Sequence, residues 1–193
     1  MKAAFALLAN TEIQNWVRKL AWEMHQKYRT GTLHCCLLPH VSLKQPFAIS
    51  DLVALEDYMA ELANSITPFE VSLTGLRIEP TVFEGREYGI LWLDVQATEY
   101  LHQLHRRVNQ ELSQRFGNTQ ANFDGDDYEF HMTVMMGGQT MDVYRQLYCE
   151  ISDRKINFRF TVSELTMFVY DEPMGPKGEY MSYKTLPIGR SST

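Results

Sequence analysis

Two periodicities alternate along the chain. Short apolar or alternating runs read as strands, and longer runs with apolar residues three and four apart read as helices. Ala4 to Ala9 predicts a buried first strand rather than a leader segment. Ile13, Trp16, Val17, Leu20, Ala21, Met24 and Tyr28 then share one helical face, with Thr11 and Gln14 in capping-box form and Gly31 as the stop. Thr32 to Leu38 reads as extended, and Pro39, which has no ladder donor, implies a bend before the strand beginning at His40. Ser50 is the expected cap of a helix carrying Leu52, Leu55, Met59, Leu62 and Ile66 on its buried side, ended by Pro68. Phe69, Val71 and Leu73 alternate as a further strand.

The stretch from Glu79 to Glu87, with Pro80 and Gly85, reads as a loop between two halves of similar size. From Gly89 the order begins again. Ile90 to Val95 is a strand, and Thr98 caps a helix carrying Leu101, Leu104, Val108, Leu112 and Phe116, with Gly117 at its end. A polar loop over 118–127 leads to a strand at Phe130 to Val134, after which Gly137 and Gly138 break the chain before a helix near 142–151. Residues 157–170 hold one or two strands, 173–178 a turn, and 180–186 a last strand. Strand, helix, strand, helix, strand thus occurs twice, as in a duplicated lobe. The expected organisation is one α+β domain over 1–193, bilobal, with halves of roughly 1–80 and 86–190.

Composition narrows the function. A net charge of −6 argues against tracking along extended nucleic acid, which needs a basic stripe. A small phosphorylated substrate or an RNA terminus stays compatible. Cys35, Cys36 and Cys149 form neither a disulfide framework nor a zinc spacing, so a reducing, cytoplasmic setting is expected. No apolar run approaches a membrane span. The acidic run Asp124 to Asp127 lacks the full loop and closing Glu of a calcium site, and reads as a turn.

The candidate chemistry lies in two matching stretches, Pro39-His40-Val41-Ser42-Leu43 and Phe130-His131-Met132-Thr133-Val134. On a strand, period two sends His and hydroxyl to one face and the apolar residues to the other. Two imidazoles facing a common groove can serve as base and acid in one step, and hydroxyls can donate to phosphate oxygens. Lys44 shares that face if the strand runs on, either as a rim contact to phosphate or as a solvated strand-end lysine. Glu129 has the same relation to His131 and is either an orienting group or a plain exposed carboxylate. Tyr128, Phe130, Tyr170 and Tyr180 divide between base stacking and core packing. His102, His105, Arg106 and Arg107 read as a solvated helix face first and as a nucleic-acid contact second.

With H-V-S-L and H-M-T-V placed 91 positions apart, the chain resembles the two-histidine (2H) phosphoesterase superfamily, in its 2′-5′ RNA ligase-like and cyclic phosphodiesterase branches. The resemblance implies a bilobal α+β fold with an antiparallel sheet in each lobe and a site between them that uses no metal and no cofactor. It also implies opening of 2′,3′-cyclic phosphates on small nucleotides or RNA ends. Carried over, His40 and His131 are the acid/base pair, and Ser42 and Thr133 bind the phosphate. Reversible 2′-5′ RNA ligation is the alternative within the enzyme class. A nucleotide- or RNA-end-binding module without turnover is the alternative outside it.

Overall fold

The computed structural model describes residues 1–31, 37–83, 85–170 and 180–189. The expected extended run at 32–36 and the turn at 173–178 lie outside these. The elements in order are β1 (Lys2–Leu8), α1 (Thr11–Tyr28), β2 (His40–Ala48), α2 (Leu52–Ser65), β3 (Phe69–Phe83), β4 (Arg86–Val95), α3 (Glu99–Phe116), β5 (His131–Met136), α4 (Met141–Ile151), β6 (Phe158–Val162), β7 (Glu164–Tyr170) and β8 (Tyr180–Pro187). The fold is α+β, as the sequence predicts.

The strands form one antiparallel sheet in the order β6-β3-β4-β5-β2-β1-β7-β8. Its two four-stranded halves meet at the central β5–β2 seam, joined there by the single pair Val41↔Met132. The stretch 79–87 is not a loop between halves. It is the tip of the β3–β4 hairpin, in which Phe83 pairs with Arg86 and Gly85 supplies the positive φ of the turn. The half containing β2 takes its outer strands from the end of the chain, β7 and β8, so sheet neighbourhood and sequence neighbourhood part company.

Helix ends follow local chemistry more closely than the sequence reading did. The α1 cap is Asn10, whose side chain accepts from Ile13 N, while Gln14 turns back to Ala9 O. Arg29, at φ 55, closes that helix in the left-handed region, and Gly31 has another task. A Cβ there would stand 2.3 Å from Met136 O, and Gly31 N donates to Gly137 O at 2.8 Å, which ties the exit of α1 to the end of β5. Asp51, not Ser50, caps α2, which ends at Ser65, before Pro68. Thr98 and Gly117 bound α3 as expected.

The helices cover the sheet crosswise: α3 packs on β2 and α1 on β5, while α4 lies on β3 and β4 and α2 on β7 and β8. Leu43, Val41 and Met132 are fully buried in this core together with Phe5, Leu55 and Leu112. Each large apolar side chain so buried contributes about 1.5–3 kcal/mol, which anchors the central strands firmly enough to hold polar side chains on the other face. No described helix is long and apolar enough to cross a membrane.

Candidate active site

The pair Val41↔Met132 sets the register of everything polar at the seam. Antiparallel pairing puts His40 beside Thr133 and Ser42 beside His131. The imidazoles therefore occupy diagonal corners of a square, about 7–8 Å apart at Cα, and the hydroxyls occupy the other two. All four side chains are half-buried and line one cavity of about 840 Å³. The same cavity is also lined by Val17, Arg18 and Ala21 of α1.

Both histidines are held by the same local device. His40 Nδ1 lies 2.7 Å from Leu38 O, and His131 Nδ1 lies 2.8 Å from Glu129 O, each a carbonyl two residues upstream. A carbonyl only accepts, so each Nδ1 carries the hydrogen and Nε2 is left to gain or lose a proton. Burial pushes the His40 imidazole below the ordinary histidine range; the Leu38 carbonyl opposes the shift and a charge on His131 reinforces it. Burial likewise lowers His131, against the carbonyl and then the carboxylate of Glu129.

Their surroundings differ. The His131 ring stacks on Trp92 with centroids 4.3 Å apart, and His40 meets Phe168 edge-on at 4.8 Å. Trp92 donates to Asp94 Oδ1 at 3.1 Å, the same oxygen that Arg77 grips through Nη2 at 2.7 Å. Arg77 also reaches Glu129 at 3.2 Å, so a layered Arg77–Trp92–His131 assembly stands on one side of the site. Glu129 thus serves His131 through its backbone carbonyl and its charge, while its carboxylate is bound to Arg77. The sequence reading passed over Trp92 and Arg77. Their signal was the alternation of Trp92 and Asp94 with buried Leu91 and Leu93, but nothing local announces that β4 lies beside β5.

Lys44 is not at the rim. Ala6 pairs with Ser42 and Phe5 with Lys44, so Leu43 and Lys44 together oppose a single step of β1 and form a bulge. Lys44 is fully buried there, close to the Phe47 ring, and its ammonium pairs with Asp124, which sits in the loop expected to be a plain turn. Asp124 also accepts from Gln45 N and Ala121 N, clamping the 118–127 loop onto β2. Burial lowers the Lys44 pKa, and the Asp124 partner opposes that.

His105, expected on a solvated face, is buried instead, with Nδ1 2.8 Å from Leu43 O and its ring stacked on Tyr128 at 4.3 Å. Tyr128 in turn donates to Ser42 O. Two successive carbonyls at the bulge are therefore held from outside the sheet. Tyr128, Phe130 and Tyr170 are core residues, although Tyr128 also forms part of the cavity wall; the Tyr180 side chain lies outside the described residues. Among the described residues, the aromatic that stands open at the cavity is Phe123, 83% exposed and at φ 69. Its neighbour Asp124 is pinned, which explains how a non-glycine residue is kept in that conformation. Among the described residues, no group of three or more His, Cys, Asp or Glu could hold a metal ion.

The profile of the 2′-5′ RNA ligase superfamily matches residues 10–173. The chain belongs to that superfamily. Its two-histidine phosphoesterase fold recurs in TT0787 of Thermus thermophilus, with a TM-score of 0.65, 16% identity and 98% of each chain covered. E. coli LigT complexed with 3′-AMP gives 0.57 and 15%, again over 98% of each chain. Usb1 of Kluyveromyces marxianus gives 0.51 and 16%, over 97% of this chain and 98% of its own. At these identities the likeness is one of fold. Comparison with curated protein sequences gives no match.

Proposed function

We propose that this superfamily member is a phosphodiesterase that opens 2′,3′-cyclic phosphates of nucleotides or RNA ends by paired imidazole catalysis, without a metal. The observation that carries the reading is the diagonal placement of His40 and His131 with both Nδ1 atoms committed to backbone carbonyls. One neutral Nε2 takes a proton from water as its oxygen bonds to phosphorus. The other imidazole, protonated, gives its proton to the ribose oxygen as the P–O bond breaks, so the ring opens to a phosphomonoester and the proton count balances. Ser42 and Thr133 donate to the non-bridging oxygens, where charge accumulates in the transition state.

The superfamily assignment supports this chemistry. LigT has been crystallised with 3′-AMP and with phosphate, and 3′-AMP is what adenosine 2′,3′-cyclic phosphate becomes when its P–O2′ bond is cut. Phe123, exposed at the cavity, suits stacking against the base, which tolerates any base. The test is incubation with adenosine 2′,3′-cyclic phosphate in the presence of EDTA. Ring opening is expected, and roughly 10³-fold or greater loss in both His40→Ala and His131→Ala. Full activity in either variant would remove the paired mechanism.

A further inference from the structure

We infer that the site selects a cyclic phosphate bearing one negative charge, a nucleoside 2′,3′-cyclic phosphate, over the same group on a 5′-phosphorylated nucleotide or a polynucleotide. This rests on the cyclic-phosphate reading above and concerns which carrier of that group the cavity accepts. Of the described residues that line the cavity, Arg18 is the one carrying a guanidinium or ammonium, against Glu79, Asp127 and Glu129. Arg18 itself donates to Gln14 Oε1 at 3.0 Å.

Among the described residues, Arg77 and Lys44 are already engaged. Arg77 contacts Asp94, Glu129 and, at 4.0 Å, Glu79, and Lys44 is buried against Asp124. Even with Arg77 counted, the described residues set two guanidiniums, Arg18 and Arg77, among four carboxylates, Glu79, Asp94, Asp127 and Glu129. The two imidazoles and two hydroxyls can hold one phosphodiester anion, but a second phosphate meets carboxylate on the walls, and like charges set against one another oppose binding. The whole chain, at −6, adds to this rather than relieving it. A volume of about 840 Å³ lies within the roughly 300–1,000 Å³ of small-molecule sites.

The same charges bear on direction. Ring opening turns a singly charged diester into a monoester carrying about −1.5 to −2 near neutral pH. The product is repelled more than the substrate was, which favours its release and disfavours the joining of RNA ends.

The experiment compares kcat/KM for adenosine 2′,3′-cyclic phosphate, its 5′-phosphorylated form and a trinucleotide with a cyclic end, at low salt and at about 0.5 M salt. The extended substrates are expected to be slower by roughly tenfold at low salt, and the gap to narrow as salt screens the carboxylates. E79Q/D127N should narrow it too, leave the nucleoside substrate within about twofold, and strengthen inhibition by the 3′-monophosphate. Three results overturn the inference alone: a trinucleotide turned over as fast as the nucleoside, a trinucleotide rate that falls with salt as a basic track would require, or a gap untouched by E79Q/D127N. Failure to open any of the three substrates overturns the phosphodiesterase reading beneath it as well.

Discussion

Val41 faces Met132 across the centre of the sheet, and this one pair brings His40 beside Thr133 and Ser42 beside His131. The diagonal follows from strand direction, since two parallel strands would have put the imidazoles side by side. H40S/S42H keeps both side chains but moves one imidazole directly opposite His131, where the pair no longer flanks a phosphorus from two sides. Its activity is expected to fall about as far as that of a single His→Ala variant, roughly 10³-fold, with an unchanged far-ultraviolet circular dichroism spectrum. Activity within tenfold of the parent would show that the diagonal is dispensable.

The pH profile carries a definite sign. Burial lowers both imidazoles from an ordinary value near 6.5, so the bell of kcat/KM should centre on the acid side of that value. A bound phosphate favours the protonated forms, so the kcat profile should lie at higher pH than that of kcat/KM. A kcat/KM optimum above about pH 7.5 would contradict this assignment of the pair.

Stability should move with the same protons. The folded chain prefers both imidazoles neutral, so below about pH 6.5 the unfolded chain binds more protons and stability is lost as pH falls. H40N/H131N should therefore lose less Tm than the parent between about pH 7.5 and about pH 5.5 in a calorimetric scan.

Removing the buried counter-ion should be costly. Asp124→Asn leaves the Lys44 ammonium in the core without its partner, a loss of about 3–5 kcal/mol in urea denaturation. K44M/D124N should recover most of it, because the stranded charge is gone. A D124N chain as stable as the parent would mean that Lys44 reaches water by another route.

Phe123 separates binding from folding. Phe123→Ala is expected to raise KM by roughly 5- to 100-fold with little change in kcat, the worth of one base stack. Phe123→Gly should bind as poorly yet gain up to about 1 kcal/mol of stability, since glycine accepts φ 69 without a Cβ penalty. If both variants keep the parental KM, the ring does not touch the base.

Much of this molecule is written in short-range terms. The parity of a strand is a local property, so alternation in 39–43 and in 130–134 was enough to place each His with its hydroxyl and opposite its apolar neighbours. Amphipathic stripes likewise reveal the inner faces of α1 and α3, because helical side-chain spacing does not depend on the partner. Pairing across 91 residues is another matter: it follows from how the two apolar faces pack together, and with it come the seam, its single Val41–Met132 link and the placing of Trp92 against His131. Lys44 makes the contrast plain. Its parity promised a place beside Ser42, and a bulge against β1 turned it into the core towards Asp124, because an extra residue in one strand resets the alternation that a linear reading takes as unbroken.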